Sequence, residues 1–251
     1  MTDDRLTRDG FLGGKLHLWQ PAKGFRAATD PVLLAAACPA KPGEQVLDLG
    51  TGVGTAALCL AARVPGLTLT GLELQPLYAD LARRNAAENA VAFDVVTGDL
   101  AKIPASLHRA FDHVIANPPY YPKGGTPATD VGRALSLQGF LPLASWVDAA
   151  ARRLVPGGTL TLIFGADSLT EVLTALGTRL GSASLLPLTP REGRPAQRLI
   201  LRARKGGRAA LRLLPPLILH RGSAHDGDRD SYSPRANDIL RHGASLEAEF
   251  A

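Results

Sequence analysis

The sequence predicts an α/β protein built on a mostly parallel sheet of seven strands, with helices on both faces. Two observations support this fold class. Short apolar segments alternate with alanine- and leucine-rich segments through the middle of the chain, which is the pattern of strand–helix–strand units. Glycine, proline and asparagine interrupt the pattern where strands should end, and ligands gather at the carboxyl ends of such strands.

The first four elements follow from apolar runs and their end signals. Gln45–Leu49 is an apolar strand closed by a glycine-rich turn, and Thr55–Arg63 is an alanine- and leucine-rich helix. Residues 67–74 form the next strand. Residues 76–89 form a helix with Pro76 in its first turn, where proline is well tolerated.

The later elements are predicted in the same way. Residues 91–96 and 111–116 are apolar enough for the third and fourth strands. A helix over residues 141–154 ends at Pro156-Gly157-Gly158, a strong stop signal. The remaining elements are a strand at 159–164, a helix at 168–180, and two strands at 184–188 and 198–204.

The chain is expected to form one domain. Residues 45–205 are its core, residues 1–44 are an N-terminal capping segment, and residues 206–251 are a C-terminal strand and tail that complete it. A chain of 251 residues is long enough for one large core. Residues 122–139 and 220–234 lack clear periodicity, which is typical of functional or disordered loops.

Composition excludes several function classes. The chain has 45% hydrophobic and 20% charged residues, no apolar stretch of transmembrane length and no signal peptide in its first residues. We therefore expect a soluble, cytoplasmic protein. Its two cysteines, Cys38 and Cys59, and its six histidines lack metal-ligand spacing, so we predict no metal site. The net charge of +5 suits a polyanionic partner without requiring one.

A glycine-rich turn follows the first predicted strand. The candidate cofactor-binding residues in it are Asp48, Gly50, Thr51, Gly52 and Gly54. Glycines let the backbone turn sharply and approach a ligand closely. The turn also fits the dinucleotide pattern G-x-G-x-x-A, so by itself it leaves open NAD, or a turn without any ligand.

Acidic residues close the next two strands. Glu73 lies 19 residues after Gly54 and beside Leu74, where its carboxylate can accept hydrogen bonds from both ribose hydroxyls. Asp99 follows the third strand and can accept a hydrogen bond from an adenine amine, while Leu100 offers the base an apolar face. Asp99 taken alone could equally be a helix N-cap. Three ligand-type positions at three consecutive strand ends favour a nucleoside site.

Asp48 favours S-adenosylmethionine over NAD. An acid directly before the glycine turn would repel a pyrophosphate, whereas it can help to hold a cationic sulfonium. With these residues the chain resembles a class I methyltransferase, which has a Rossmann-like fold. The resemblance implies S-adenosylmethionine as the cofactor. It also implies that the run from Asp48 to Gly54 is the first motif, Glu73 the ribose-binding acid and Asp99 the adenine-binding acid.

The predicted catalytic segment is Asn117-Pro118-Pro119-Tyr120, directly after the fourth strand. The Asn117 side-chain carbonyl and the Pro118 main-chain carbonyl can accept hydrogen bonds from a planar amine. Such bonds favour a pyramidal nitrogen and localise its lone pair for attack on the cofactor methyl group. The prolines stiffen the segment, and Tyr120 can stack on a flat base. The alternative is a simple turn that leaves the sheet.

The segment before the first predicted strand indicates the substrate. It resembles the entry segment of the bacterial tRNA adenine-N6-methyltransferase family, whose members modify the adenine next to the anticodon of a valine tRNA. The matching residues are Gln20, Gly24, Arg26, Asp30 and Leu33-Leu34-Ala35. Tyr232-Ser233-Pro234 resembles the closing element of that family. The resemblance implies methylation of an adenine N6 amine in tRNA. The loop after Tyr120 departs from the family in its glycine and proline content, which leaves the identity of the RNA open.

Basic and aromatic side chains outside the cofactor motifs are candidates for RNA binding. The predicted substrate-binding residues are Lys23, Arg26, Tyr120, Tyr121, Lys123, Arg133, Arg198 and Arg202. Lys23 and Arg26 can contact phosphate or the cofactor carboxylate, and Asp30 beside them could equally cap a helix. Residues 191–212 contain eight basic side chains and one acidic side chain. An alternating strand there could present a basic face to tRNA, or it could be a solvated edge strand protected by charge.

Other functions stay open at this point. The same catalytic segment serves enzymes that methylate guanine N2 or a release-factor glutamine; a non-catalytic RNA-binding module and a dehydrogenase are further alternatives. About forty residues before the first strand are too few for the helical domain that release-factor enzymes carry. The sequence leaves the oligomeric state open, favours a monomer and indicates no membrane partner.

Overall fold

The computed structural model describes residues 6–24, 26–119, 141–222 and 231–251. The strands are β1 (Leu6–Phe11), β2 (Leu16–Pro21), β3 (Gln45–Leu49), β4 (Thr68–Glu73), β5 (Phe93–Thr97), β6 (Phe111–Ala116), β7 (Leu154–Gly165), β8 (Leu180–Thr189), β9 (Arg198–Lys205), β10 (Arg212–Leu213) and β11 (Leu217–Ile218). The helices are α1 (Asp30–Ala37), α2 (Thr55–Arg63), α3 (Pro76–Glu88), α4 (Leu143–Arg153), α5 (Leu169–Leu176), α6 (Pro234–His242) and α7 (Glu247–Phe250).

The central sheet is mostly parallel, as predicted. Its strands lie in the order β10-β8-β9-β7-β6-β3-β4-β5, and β11 also pairs with β8. Among the described strands of this sheet, only β9 is antiparallel to its neighbours β7 and β8. The seven strands from β3 to β9 correspond to the seven that the sequence predicts, and the two-residue strands β10 and β11 extend the sheet beyond them.

Three predicted boundaries are wrong by four residues or more. β7 begins at Leu154, directly after α4, so Pro156-Gly157-Gly158 lies inside a strand. The register between β6 and β7 shifts between Phe111 and His113, and this irregularity accommodates the glycines within the strand. α5 ends at Leu176, four residues early, because Gly177 follows it with a φ of 53° and a ψ of −136°, a backbone conformation that glycine adopts readily and other residues do not. β8 then begins at Leu180, four residues before the predicted start.

The apolar core lies on both faces of the sheet, because alternate residues of each strand point to opposite faces. Val46 and Ile115 pack with α1, α2 and α6 on one face. Leu47 and Val114 pack with α4 and α5 on the other. The sheet is therefore covered on both sides, as its nearly continuous apolar strands require.

The two ends of the chain add elements that the sequence pattern does not indicate. β1 and β2 form a separate antiparallel hairpin. The segment predicted as a C-terminal strand and tail contains two helices besides β10 and β11. Ser233 caps α6, since its Oγ accepts a hydrogen bond from the Ala236 N–H, and Pro234 occupies the first turn. Among the helices that the structure describes, none has the length and apolar character needed to cross a membrane.

Candidate active site

The candidate site lies at the carboxyl edge of the sheet, where β3, β4, β5 and β6 end side by side. Leu49 pairs with both Leu72 and Ala116, and Glu73 pairs with Thr97. The residues that follow these strands therefore meet around one open cleft with about 800 Å³ of empty space, including the part open to solvent.

Much of the predicted site lines this cleft. The cofactor-binding candidates on its wall are Gly50, Gly52, Glu73, Leu74, Asp99 and Leu100. Asn117 and Pro119 of the predicted catalytic segment line it too, while Pro118 is buried behind them. Tyr120, Tyr121, Lys123 and Arg133 lie outside the described residues. The topology thus brings residues from four strand ends into one cavity.

The glycine turn approaches the neighbouring strand and helix closely. The N–H groups of Gly50 and Thr51 both donate to the Leu72 carbonyl, at 2.8 and 3.0 Å. Gly50 has a φ of 66°, and a Cβ atom there would lie 2.6 Å from Cη2 of Trp146. Glycine is therefore required at position 50 both for its backbone conformation and for the space that Trp146 occupies.

Asp48 lies beneath the glycine turn. Its side chain is 2% exposed and accepts a hydrogen bond of 2.6 Å from the Thr51 hydroxyl. Burial raises its pKa to about 7, and the nearby Glu73 carboxylate adds to the rise. Within the described part of the chain, Asp48 is not on the wall of the cleft. The geometry gives it a supporting role under the turn, and its predicted help in holding a cationic sulfonium stays a prediction. Thr51 and Gly54 also lie off the wall.

Glu73 is held in place by backbone donors. Its Oε2 accepts from the Gly52 N–H at 2.8 Å, and its Oε1 accepts from the Gln75 N–H at 2.9 Å. It is 7% exposed, and burial raises its pKa. The Leu74 N–H is a third backbone donor to this carboxylate. A carboxylate has about four acceptor positions, so Glu73 keeps acceptor capacity for a ligand hydroxyl in the cleft.

Asp99 is a helix cap that also lines the cleft. Its Oδ1 accepts from the Ala101 N–H at 2.8 Å and caps the short 3-10 helix Leu100–Lys102. The same side chain is exposed and lines the cleft. The cap orients the carboxylate, and the cleft face of the side chain is open to a ligand.

The basic candidates differ sharply in their surroundings. Arg26 forms an ion pair with Asp9 at 2.6 Å and also donates to the Thr7 hydroxyl and the Pro21 carbonyl. These contacts tie it to the N-terminal hairpin, and it does not line the cleft among the described residues. Lys23 is exposed on the segment before α1. Its position leaves it available to a large substrate.

Arg198 lies at the same edge of the sheet as Asn117. It pairs with Gly165 at the end of β7 and forms an ion pair of 3.4 Å with Asp30. Asp30 is the first residue of α1 and is not its N-cap, since Thr29 holds that position. Burial raises the pKa of Asp30, although Arg198 opposes the rise.

The prediction that Arg202 binds RNA does not fit the structure. Its side chain is 9% exposed. Its guanidinium donates to the Ala37 carbonyl at 2.5 Å and to Glu247 at 2.7 Å, and it lies 3.9 Å from the centre of the Phe250 ring. β9 lies between β7 and β8, so this strand is not at an edge either. The strand is therefore not a solvated edge, and its arginines do not form one continuous basic face, because Arg202 is buried against α1 and α7 while Arg198 is half-buried and Arg204 is exposed.

The basic segment 191–212 is divided between opposite ends of the sheet. Arg198 is at the carboxyl edge of the parallel strands, whereas Arg204 donates to Gly157 and Lys205 donates to Leu154 near the start of β7. Six residues of extended strand separate the two groups by about 20 Å. Only the first group is close to the cleft.

Six residues of the cleft wall were not predicted: Leu72, Gln75, Tyr78, Gly98, Leu141 and Trp146. Gln75 and Tyr78 directly follow Glu73 at the start of α3, so their proximity to a recognised site residue was a usable signal. Trp146 comes from α4, about thirty residues after the catalytic segment, and its place depends on how that helix packs. Among the described residues, no cluster of His, Cys, Asp and Glu could hold a metal ion.

Comparison with known proteins gives the family. The family model of the methyltransferase small domain matches residues 28–186. A tRNA1(Val) (adenine(37)-N6)-methyltransferase from Porphyromonas gingivalis is 31% identical over 243 residues, which cover 91% of this chain and 92% of the relative. A second protein of that name from the same species is 32% identical over 191 residues, 72% of this chain and 74% of the relative. The chain therefore belongs to the methyltransferase family that these relatives represent.

Solved structures support the same fold. A predicted O-methyltransferase from Agrobacterium tumefaciens superposes with a TM-score of 0.69 at 29% identity, over 86% of this chain and 98% of that one. A Thermus thermophilus 16S rRNA N2 methyltransferase, solved with AdoMet and guanosine, has a TM-score of 0.54 at 22% identity, over 80% of this chain and 50% of that one. The second likeness shows the fold alone. The predicted fold class is confirmed by these structures, and the predicted methyltransferase activity and S-adenosylmethionine cofactor are confirmed by family membership.

Proposed function

We propose that this methyltransferase transfers a methyl group to the N6 amine of an adenine in tRNA, the substrate named for its relatives. One observation carries the proposal. The Asn117-Pro118-Pro119 segment leaves β6 in the same cleft that holds Glu73 and Asp99. A pair of acceptors for a planar amine therefore lies beside a set of residues suited to a nucleoside.

The residues of the cleft fit S-adenosylmethionine, which supplies an electrophilic methyl group when bound. Glu73 offers a carboxylate acceptor for a ribose hydroxyl, and Asp99 offers one for an adenine amine. Leu72, Leu74 and Leu100 line the cleft and provide an apolar surface for the base. The glycine turn lets the backbone approach the rest of the molecule without side chains in the way.

The catalytic segment acts by orienting the target amine. Asn117 Oδ1 and the Pro118 carbonyl accept hydrogen bonds from the two amine N–H groups, which favours a pyramidal nitrogen and keeps its lone pair available. They also stabilise the positive charge that develops on the nitrogen during transfer. Neither proline has an N–H that could compete for these acceptors. No general base is needed, because the methylated ammonium group is acidic enough to lose a proton to water.

The surroundings of the cleft support a polyanionic substrate. The loop after β8 and the segment after β11 reach the same edge of the sheet as Arg198, because Thr189 pairs with Ile218 and Leu188 pairs with Arg198. Arg194 and Arg221, on these two segments, are exposed. With Lys23 and Arg198 they would form a basic rim that can contact phosphates of a large RNA. Valine tRNA is the substrate that the relatives' names indicate, and we propose it here.

The test is to identify the methylated product. The protein is incubated with labelled cofactor and either bulk tRNA, a valine tRNA transcript, or the same transcript with guanine at position 37. We expect N6-methyladenosine in the tRNA and in the first transcript and no label in the second. Nucleoside standards separate this product from N2-methylguanosine and 2′-O-methyladenosine. Label on guanine or on ribose would overturn the proposal.

A further inference from the structure

Two asparagines of the α3 region hold the outer edge of the N-terminal hairpin. Asn85 Oδ1 accepts from the Trp19 N–H at 2.7 Å, and its Nδ2 donates to the Trp19 carbonyl at 3.1 Å. Asn89, directly after α3, does the same with His17: its Oδ1 accepts from the N–H at 3.2 Å, and its Nδ2 donates to the carbonyl at 2.9 Å. Each side-chain amide thus takes the place of a strand partner for one residue of β2.

The spacing explains why this docking works. Four residues of helix rise about 6 Å, and two residues of strand rise about 6.6 Å. Two asparagines four residues apart, one in α3 and one directly after it, therefore match two residues of β2 that are two positions apart. These bonds satisfy backbone N–H and C=O groups of β2 that point away from β1. They therefore cover the free edge of this strand, whose polar groups would otherwise bond to water or to another strand.

Asn85 makes one further bond that Asn89 lacks. Its Nδ2 also donates to the Val53 carbonyl at 2.9 Å. Val53 lies between Gly52 and Gly54, which both have positive φ values, and the Gly52 N–H donates to Glu73. Asn85 is fully buried. The corresponding donor of Asn89 is used within the helix, on the Asn85 carbonyl at 2.8 Å.

We propose that Asn85 is a positioning residue for the cofactor site. Its hydrogen bond to the Val53 carbonyl holds the glycine turn, and this turn orients Glu73. Because Asn85 also bonds to β2, the conformation of the turn depends on the docked N-terminal hairpin. Buried amides that satisfy three backbone groups at once leave those groups unpaired when they are removed. The inference rests on the cofactor part of the proposed function and is independent of which RNA is the substrate.

The experiment compares Asn85→Ala with Asn89→Ala as a matched control. S-adenosylhomocysteine is titrated into each protein by calorimetry, without RNA, below the melting temperature of both variants. Both substitutions remove the two bonds to one residue of β2, but only Asn85→Ala releases Val53. We expect the Kd to rise about tenfold for Asn85→Ala, as expected for one buried hydrogen bond, and less than about twofold for Asn89→Ala.

Hydrogen exchange of the wild-type protein gives a second measurement that needs no variant. Saturation with S-adenosylhomocysteine should slow exchange in residues 16–21 as well as in residues 50–54, because Asn85 joins the two segments. A folded Asn85→Ala protein with the wild-type Kd would overturn the inference. Equal losses of affinity in both variants, or protection of the turn without protection of the hairpin, would also overturn it. A wild-type protein that does not bind S-adenosylhomocysteine would instead refute the cofactor assignment itself.

Discussion

Replacement of Gly50 by alanine tests how the cofactor turn is built. Gly50 has a φ of 66°, and a Cβ atom there would lie 2.6 Å from Cη2 and 2.8 Å from Cζ3 of Trp146. Both atoms are at the far end of the Trp146 side chain. The clash can therefore be relieved if the indole rotates away from the turn, which would alter the wall of the cleft.

Two terms set the expected loss of stability. An L-residue in the left-handed region costs roughly 1–2 kcal/mol. Displacement of the half-buried indole removes apolar contact worth about 1 kcal/mol more. We expect Gly50→Ala to lower the free energy of unfolding by about 2–3 kcal/mol in the wild-type background. In a Trp146→Ala background only the backbone term of about 1–2 kcal/mol remains.

Urea unfolding of the two single variants and the double variant measures these terms. The chain contains two tryptophans, so a Trp19→Phe background leaves Trp146 as the only indole reporter. Its emission should shift to longer wavelength in Gly50→Ala as the ring gains contact with water. Equal destabilisation with and without Trp146, together with unchanged emission, would refute the steric contact between the two residues.

Four further results are expected. Asn117→Ala should keep the Kd for S-adenosylhomocysteine within about twofold but lower kcat on tRNA by about 10²–10³-fold, since its acceptor acts mainly in the transition state; near-wild-type turnover would contradict this role. Glu73→Ala should raise that Kd about tenfold or more by calorimetry, and an unchanged Kd would exclude Glu73 from the site. Burial raises the pKa of Asp48 from 3.8 to about 7, so as the pH rises the Asp48 carboxyl group ionises at a lower pH in the unfolded chain than in the folded protein. Relative to Asp48→Asn, the wild-type protein should therefore lose on the order of 4 kcal/mol of stability between about pH 4 and 7, as measured by urea unfolding of both proteins. Arg198→Gln should reduce the slope of log Kd for tRNA against log salt by about one, whereas Arg202→Met should leave the slope unchanged and lower the free energy of unfolding by about 1–3 kcal/mol.

The two asparagines on the α3 side of the molecule illustrate what a sequence pattern conceals. Asn85 and Asn89 read as ordinary polar residues of a helix whose boundaries the pattern predicts closely. Their role is to form hydrogen bonds to the N-terminal hairpin, and the sequence did not predict that hairpin. A local sequence signal therefore identified the helix but not the contacts that give it a role beside the cofactor turn.

Local sequence alone determined the elements that carry the chemistry. β3 and α2 have the predicted bounds because an apolar run, a glycine turn and an alanine-rich segment each act over a few residues. The acids and the Asn117 segment directly follow strands, and parallel strands end at a common edge. The cleft could for this reason be outlined from Gly50, Glu73 and Asp99.

The tertiary structure alone decided which side chains face solvent and which face each other. Arg202 and Arg198 are alike in sequence and only four residues apart, yet one is covered by helices and the other lies beside the cleft. The order of strands in the sheet and the packing of α1 and α7 make this difference. Trp146 reaches Gly50 across nearly a hundred residues of chain for the same reason. Burial depends on distant neighbours, and periodicity within one segment carries no information about them.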